Sequence, residues 1–220
     1  MRIPSIVVLA LCVTAAVPAA QDRPPRDPKA TRKAELVELV TLDATIKLDI
    51  RYATTRNFLG KVVYPEARAF LQKPAAEALL AAHRDLRPLG YGLLIHDGYR
   101  PWAITKLFWD MTEGSPMREF VADPKSGSKH NRGCAVDLTM YDLATGLAVE
   151  MPGGYDEATL RSYPDYKGGP PEARAKRDLL RATMERHGFT VEPNEWWHFN
   201  YKDWTSYPIL DIPFSQAAAR

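Results

Sequence analysis

The chain has 220 residues, of which 45% are apolar and 25% charged, and its formal net charge is +2. Those proportions suit one soluble globular domain with a sizeable core. A charge so near neutrality, with no dense basic run, argues against a dedicated nucleic-acid binder.

The first twenty residues, MRIPSIVVLALCVTAAVPAA, join one arginine, an apolar run and a small-residue end. That is the layout of a secretory signal peptide. The apolar run is too short for a comfortable membrane span, so no stable insertion is expected. Cleavage near Ala19 or Ala20 leaves a chain that begins near Gln21 and is secreted or periplasmic. Losing Arg2 takes the net charge from +2 to +1. Leu11 is too large for Cys12 to be a lipoprotein site. Cys134 is then the one remaining cysteine and has no intramolecular disulfide partner.

Residues 21–35 are rich in proline and charge and read as a flexible linker. A single domain is expected over 36–214, with a short tail at 215–220. LVELVTLDATIKLDIRYAT alternates β-branched residues and predicts strand. Pro74 suits the first turn of a helix that carries Ala75, Ala78, Leu79, Ala82 and Leu86 at helical spacing and stops at Gly90. YGLLIHDGYRP predicts a strand that enters an Asp-Gly turn. Pro101 opens a second helix with Ile104, Leu107, Phe108 and Met111 on one face. CAVDLTMYD predicts a strand, followed by a long Gly-, Pro- and Tyr-rich segment over 141–171. Leu179, Leu180, Thr183, Met184 and His187 mark a third helix ended by Gly188. FTVEPNEWWHFNY closes the chain's strands. Helices and strands mix without regular βαβ alternation, so the expected class is α+β with a small central antiparallel sheet flanked by helices.

His130 and Asp137 lie seven residues apart, about 23 Å in a straight strand at roughly 3.3 Å per residue. Ligands of one ion must converge within a few ångströms, so the two share a metal only if the chain folds back between them. Asn131 and Gly133 permit such a turn. In the strand that follows, Asp137 points away from Cys134, Val136 and Leu138, which makes Cys134 a core residue rather than a ligand. EWWH adds His198 and, three residues earlier, Glu195. A flat strand puts those two on opposite faces, and a bulge or helical turn would bring them together. Two histidines, an aspartate and an open position make a catalytic zinc set, with Glu195 free to act as general base. By spacing alone, a His-Asp pair seven apart is more often a surface hydrogen bond than a metal site, and His198 beside two tryptophans serves equally as a half-buried ring. His83, His96 and His187 have no partner spacing and read as structural or solvated. Tyr99, Trp196 and Trp197 read either as walls of a small apolar pocket or as core.

SKHNRGCAVDLTM fits the pattern S-x-H-x-x-G-x-A-x-D, and EWWH fits E-x-W-H. These blocks, with DIRYATTRNFLG and YGLLIHDGYRP in the same order, resemble the zinc D-alanyl-D-alanine dipeptidases of the vancomycin-resistance type. That family lies within the D,D-carboxypeptidase-like metallopeptidases. The resemblance covers about residues 36–213 and implies a catalytic domain of D,D-peptidase/Hedgehog-like fold. It implies one Zn2+ held by His130, Asp137 and His198, Glu195 as general base, and Arg100 as the group that stabilises the transition state. It also implies that Ser128, Tyr52 and Asp156 read the substrate's ammonium. The sequence departs from the family's Met-Gly-x-x-Phe-Asp run, which here is MPGGYD, with Pro152 for the glycine and Tyr155 for the phenylalanine.

The activity so implied is hydrolysis of the D-alanyl-D-alanine dipeptide, with a small dipeptide as the partner. A signal peptide favours scavenging of wall-turnover products over action on a cytoplasmic precursor. Two other readings share the metal set: a D,D-carboxypeptidase that trims wall peptides, and a non-catalytic zinc-containing wall-binding module. The presence of both Glu195 and Arg100 disfavours the module.

Overall fold

The computed structural model describes residues 23–217. The signal-like segment and residues 218–220 lie outside them. In chain order the elements are β1 (Leu36–Glu38), α1 (Leu39–Leu42), β2 (Lys47–Leu48), β3 (Phe70–Gln72), α2 (Lys73–Leu86) and β4 (Tyr91–Asp97). They continue with α3 (Trp102–Met111), β5 (Ala135–Asp142), α4 (Pro171–Arg186), β6 (Phe189–Glu192), β7 (Glu195–Tyr201) and α5 (Phe214–Ala217). A five-stranded sheet has the order β2-β4-β5-β7-β6, and β1 pairs with β3 in a separate ribbon. All pairs are antiparallel except β2 with β4. This is the expected α+β arrangement, with one parallel edge added.

The three longer helices form where the sequence places them, but α3 buries Trp102, Thr105 and Phe108 and leaves Leu107 and Met111 of its expected apolar face exposed. Pro74 sits in the first turn of α2 and Pro171 in that of α4, where no intrahelical N–H is lost. Helix α2 buries Ala75, Ala76, Leu79, Ala82 and Leu86, and α4 buries Ala173, Leu180 and Met184. The two helices pack on each other, α2 against β4 and α4 against β6. Each buried leucine removes enough apolar surface from water to contribute about 2 kcal/mol. Cys134, Val136 and Leu138 join this core, while Asp137 and Thr139 occupy the other face of β5. The Cys134 thiol is buried and free. Burial pushes it up to about 12, as befits a packing residue.

The first strand reading changes as well. The alternating stretch from residue 36 is not a single strand but β1, a helical turn and the two-residue β2. The Leu39 N–H still makes the next rung of the β1–β3 ladder, to the Ala69 carbonyl at 3.0 Å, but its own carbonyl then accepts from the Asp43 N–H at 3.3 Å and closes a helical turn. Asp43 then accepts from the Thr45 N–H at 2.9 Å and its hydroxyl at 2.6 Å, a local turn that stops strand propagation. Residues 23–35 run without helix or strand but touch the domain at defined points. Asp27 meets the buried Arg132 guanidinium at 2.7 Å, and the Thr31 and Arg32 N–H groups share the Ser206 carbonyl. His83 proves structural: its Nδ1 accepts from the Leu93 N–H at 3.1 Å and its Nε2 meets the Thr45 hydroxyl at 2.9 Å.

The turn that folds His130 back toward Asp137 is a short 3-10 helix, His130–Arg132, ended by Gly133 at φ +65°. A Cβ there would sit 2.6 Å from Leu36 Cδ2 and 3.3 Å from the Gln72 nitrogen. Gly133→Ala combines left-handed strain with a clash in packed surroundings. It is expected to cost about 2 kcal/mol. A thermal unfolding curve checks this, and an unshifted midpoint contradicts it.

Candidate metal centre

Three strand registers assemble the site. Asp137 on β5 lies directly opposite His198 on β7, so their side chains share one face at cross-strand distance. On β4 a bulge at His96 pairs Asp97, instead of its neighbour, with Asp137. The bulge turns Asp97 onto that same face. On β7 the pairing jumps from Val191–Phe199 to Glu192–Glu195, so one step along β6 matches four along β7. This irregularity sets Glu195 beside His198, with Glu195 Oε2 3.5 Å from His198 Nδ1.

The 3-10 turn brings His130 over this row. His130 Nδ1 lies 2.7 Å from the Gly98 carbonyl, an acceptor only, so Nδ1 carries the proton. That leaves the Nε2 lone pair facing 3.3 Å away to Asp137 Oδ1. His198 Nε2 lies 2.8 Å from Asn200 Oδ1, and its Nδ1 lies 3.0 Å from the same Asp137 oxygen. The amide of Asn200 is oriented in turn, its nitrogen donating to Glu192 at 2.7 Å, and Glu192 also pairs with Lys129 at 2.8 Å.

One ligand atom from each of His130, Asp137 and His198 lies within 4.8 Å of the others. Asp137 Oδ1 is buried and has no hydrogen-bond partner of proper geometry. A buried carboxylate oxygen left so is expensive. Two imidazole lone pairs aimed at the same point make a divalent cation the group that satisfies it, so the residues fit a metal. Burial opposes the charge on Asp137, but the His130 and His198 rings hold its carboxyl well below the ordinary range. Burial would likewise lower His198, and Asp137 raises it to about 9. Burial pushes Glu195 up to about 7, against the pull of His198.

Arg100 is buried behind the row. Its Nε and Nη2 both reach Asp97 Oδ2, at 2.9 and 2.7 Å. Asp97 is held by the Tyr64 hydroxyl at 2.8 Å and the Gly98 N–H at 2.9 Å. The guanidinium lies over the rings of Phe108 and Tyr52 and 3.9 Å from Asp137 Oδ2. Tyr52 donates to Asp156 Oδ2 at 3.0 Å. Asp156 is the described non-glycine residue with positive φ, at 57°. Enclosure by protein, with Asp137 nearby, holds its carboxyl well above the ordinary range. The Ser128 hydroxyl accepts from the His130 N–H at 3.2 Å.

All eight residues singled out in the sequence line one cavity of about 400 Å³. Trp197 lines it too. Trp196 and Tyr99 do not: Trp196 packs against Trp197, and the Tyr99 hydroxyl bonds the Ile212 carbonyl while its ring meets Phe214. Sequence reasoning missed Asp97, Tyr155, Glu192 and Asn200. Asp97 was visible only as half of an Asp-Gly turn, and the bulge that aims it leaves no signature in HDG.

Two histidines and a carboxylate around an open position, with a second carboxylate alongside, define the centre of a metallohydrolase. Residues 32–218 match the model of peptidase family M15, D-ala-D-ala dipeptidase. Among its relatives, the D-alanyl-D-alanine dipeptidase of Escherichia coli K12 is 36% identical over 181 residues, covering 82% of this chain and 92% of that one. The D-alanyl-D-alanine dipeptidase of Enterococcus faecalis is 38% identical over 190 residues, covering 77% and 88%. A solved LD-carboxypeptidase aligns with a TM-score of 0.48 at 18% identity, over 81% of this chain and 73% of its own. The chain belongs to the M15 family of metallopeptidases. No helix among the described residues is long and apolar enough to cross a membrane.

Proposed function

We propose that the protein hydrolyses the D-alanyl-D-alanine dipeptide to two D-alanines with one zinc ion bound. The observation that carries this is the convergence of His130 Nε2, Asp137 Oδ1 and His198 Nδ1 within 4.8 Å, with Glu195 beside them and Asp156 across the same cavity. The family match supports the substrate.

When bound by those three atoms, zinc supplies a Lewis acid that polarises the scissile carbonyl and makes water acidic enough to attack near neutral pH. Glu195 takes the proton of the attacking water and passes it to the leaving amine. Its mostly buried carboxyl, 3.5 Å from His198 Nδ1 and outside the three convergent ligand atoms, is placed for both halves of that transfer. Arg100, locked by two bonds to Asp97, presents a fixed positive charge to the oxygen on which negative charge develops. Asp156, steadied by the Tyr52 hydroxyl, meets the substrate's free ammonium in a charge-assisted pair. A longer peptide offers an uncharged amide there, so the site measures length. That geometry favours dipeptidase over D,D-carboxypeptidase.

The signal-like layout of residues 1–20 supports export, and with it a role in recovering dipeptide from wall turnover in the periplasm or outside the cell. Cell fractionation tests this: dipeptidase protein confined to the cytosol rejects it.

The catalytic reading is tested on the purified mature chain with D-Ala-D-Ala and a tripeptide ending in the same pair. The expected result is release of D-alanine from the dipeptide alone, lost on chelation and restored by added zinc. Turnover of the tripeptide alone, with zinc bound, overturns the dipeptidase reading in favour of a carboxypeptidase.

A further inference from the structure

Each of the three candidate ligands keeps one polar atom turned away from the convergence point, and each such atom has a partner. For His130 it is the Gly98 carbonyl and for His198 the Asn200 amide. For Asp137 it is Tyr155, whose hydroxyl lies 3.1 Å from Oδ2. Tyr155 comes from the long segment after β5 that contains neither α-helix nor strand. Its ring is fixed on three sides, 4.6 Å from His96, 5.6 Å from Trp197 and 6.3 Å from Tyr52. A rigid ring with one donor leaves that donor a single target.

We propose that Tyr155 is a positioning residue that decides which oxygen of Asp137 is offered to the metal. The two oxygens of a carboxylate are equivalent until something distinguishes them. Here Oδ2 accepts from Tyr155, with Arg100 3.9 Å away, and Oδ1 is left without a hydrogen bond between the two imidazoles. The hydroxyl so holds the side chain in the rotation that presents one oxygen to the cation. Outer hydrogen bonds of this kind are worth about 10- to 100-fold in metal affinity. The sequence departs from the family's run at this position, and the departure is what supplies the hydroxyl. The same contact ties the metal row to the segment that carries Asp156, the next residue in the chain.

The inference rests on the zinc site proposed above, and its test separates the two. Zinc affinity is measured by competition with a chromophoric chelator for the wild-type chain, Tyr155→Phe and Asp156→Asn. Phenylalanine keeps the ring contacts and removes only the donor. Tyr155→Phe is expected to bind zinc at least about 10-fold more weakly than wild type, with an unchanged unfolding midpoint of the metal-free protein. Asp156→Asn, which leaves the hydroxyl in place, is expected to keep wild-type affinity. At saturating zinc the Tyr155→Phe deficit should fall on kcat, with KM within about twofold, because Asp156 and Tyr52 still read the ammonium. Equal zinc affinity in wild type and Tyr155→Phe overturns the role of the hydroxyl. So does an equal loss in both variants, which assigns the effect to docking of the segment. A wild-type chain that binds no zinc overturns the metal site itself.

Discussion

Glu195→Gln is expected to lower kcat for D-Ala-D-Ala by about a thousandfold while one zinc stays bound. Glutamine has nearly the same shape but cannot accept a proton, so the substitution removes one step and little packing. Positioned general bases contribute about 10²- to 10⁴-fold. A thousandfold is the middle of that range, for one group that serves both proton transfers. Its carboxylate stands 3.5 Å from His198 Nδ1 but is not one of the three convergent ligand atoms. Steady-state kinetics and zinc content on the same preparation check both halves. Near-normal turnover would remove Glu195 from the mechanism, and loss of zinc would make it a ligand instead of a base.

Removing the carboxylate of Asp156 is the second large effect expected. This half-buried group lines the cavity, accepts a hydrogen bond from Tyr52, and has no lysine or arginine in direct contact among the described residues. Burial and the neighbouring Asp137 both act against its charge. A substrate ammonium supplies the missing partner, and desolvated pairs of this kind are worth about 2–5 kcal/mol when one side is truncated. Asp156→Ala is therefore expected to reduce kcat/KM for the free dipeptide by about 10²- to 10³-fold. For N-acetyl-D-Ala-D-Ala, which has no ammonium, the same substitution should change kcat/KM little or raise it. A uniform loss on both substrates would show that Asp156 supports the fold of the segment and does not read charge. The positive φ at this residue fits a role at the site, since a non-glycine side chain holds that conformation only when its surroundings enforce it.

Arg100 shows how the two levels of description differ. The sequence marks it through DGYRP and assigns it to charge stabilisation by resemblance. The structure adds why it stays put: Asp97 grips it with two hydrogen bonds, while Tyr64 and the Gly98 N–H hold Asp97. Asp97 reaches that position through a bulge on β4. Glu195 is the parallel case on β7. Its odd spacing from His198 required an irregular strand, and the register jump opposite Val191 is that irregularity.

What the sequence determined by itself was local or patterned. Helical spacing and proline placement marked α2, α3 and α4, alternation along β5 separated Asp137 from Cys134, and ordered motif blocks picked out the eight residues of one cavity. Those signals work because period and turn chemistry are properties of a few neighbouring residues. The rest was decided by contacts between segments far apart in the chain. β1 pairs with β3 instead of running on into β2, β2 joins β4 in parallel, and Tyr155 turns its hydroxyl onto Asp137 across a segment without regular structure. Register, bulge and hydroxyl direction depend on which strand lies alongside, and no short window of residues carries that information.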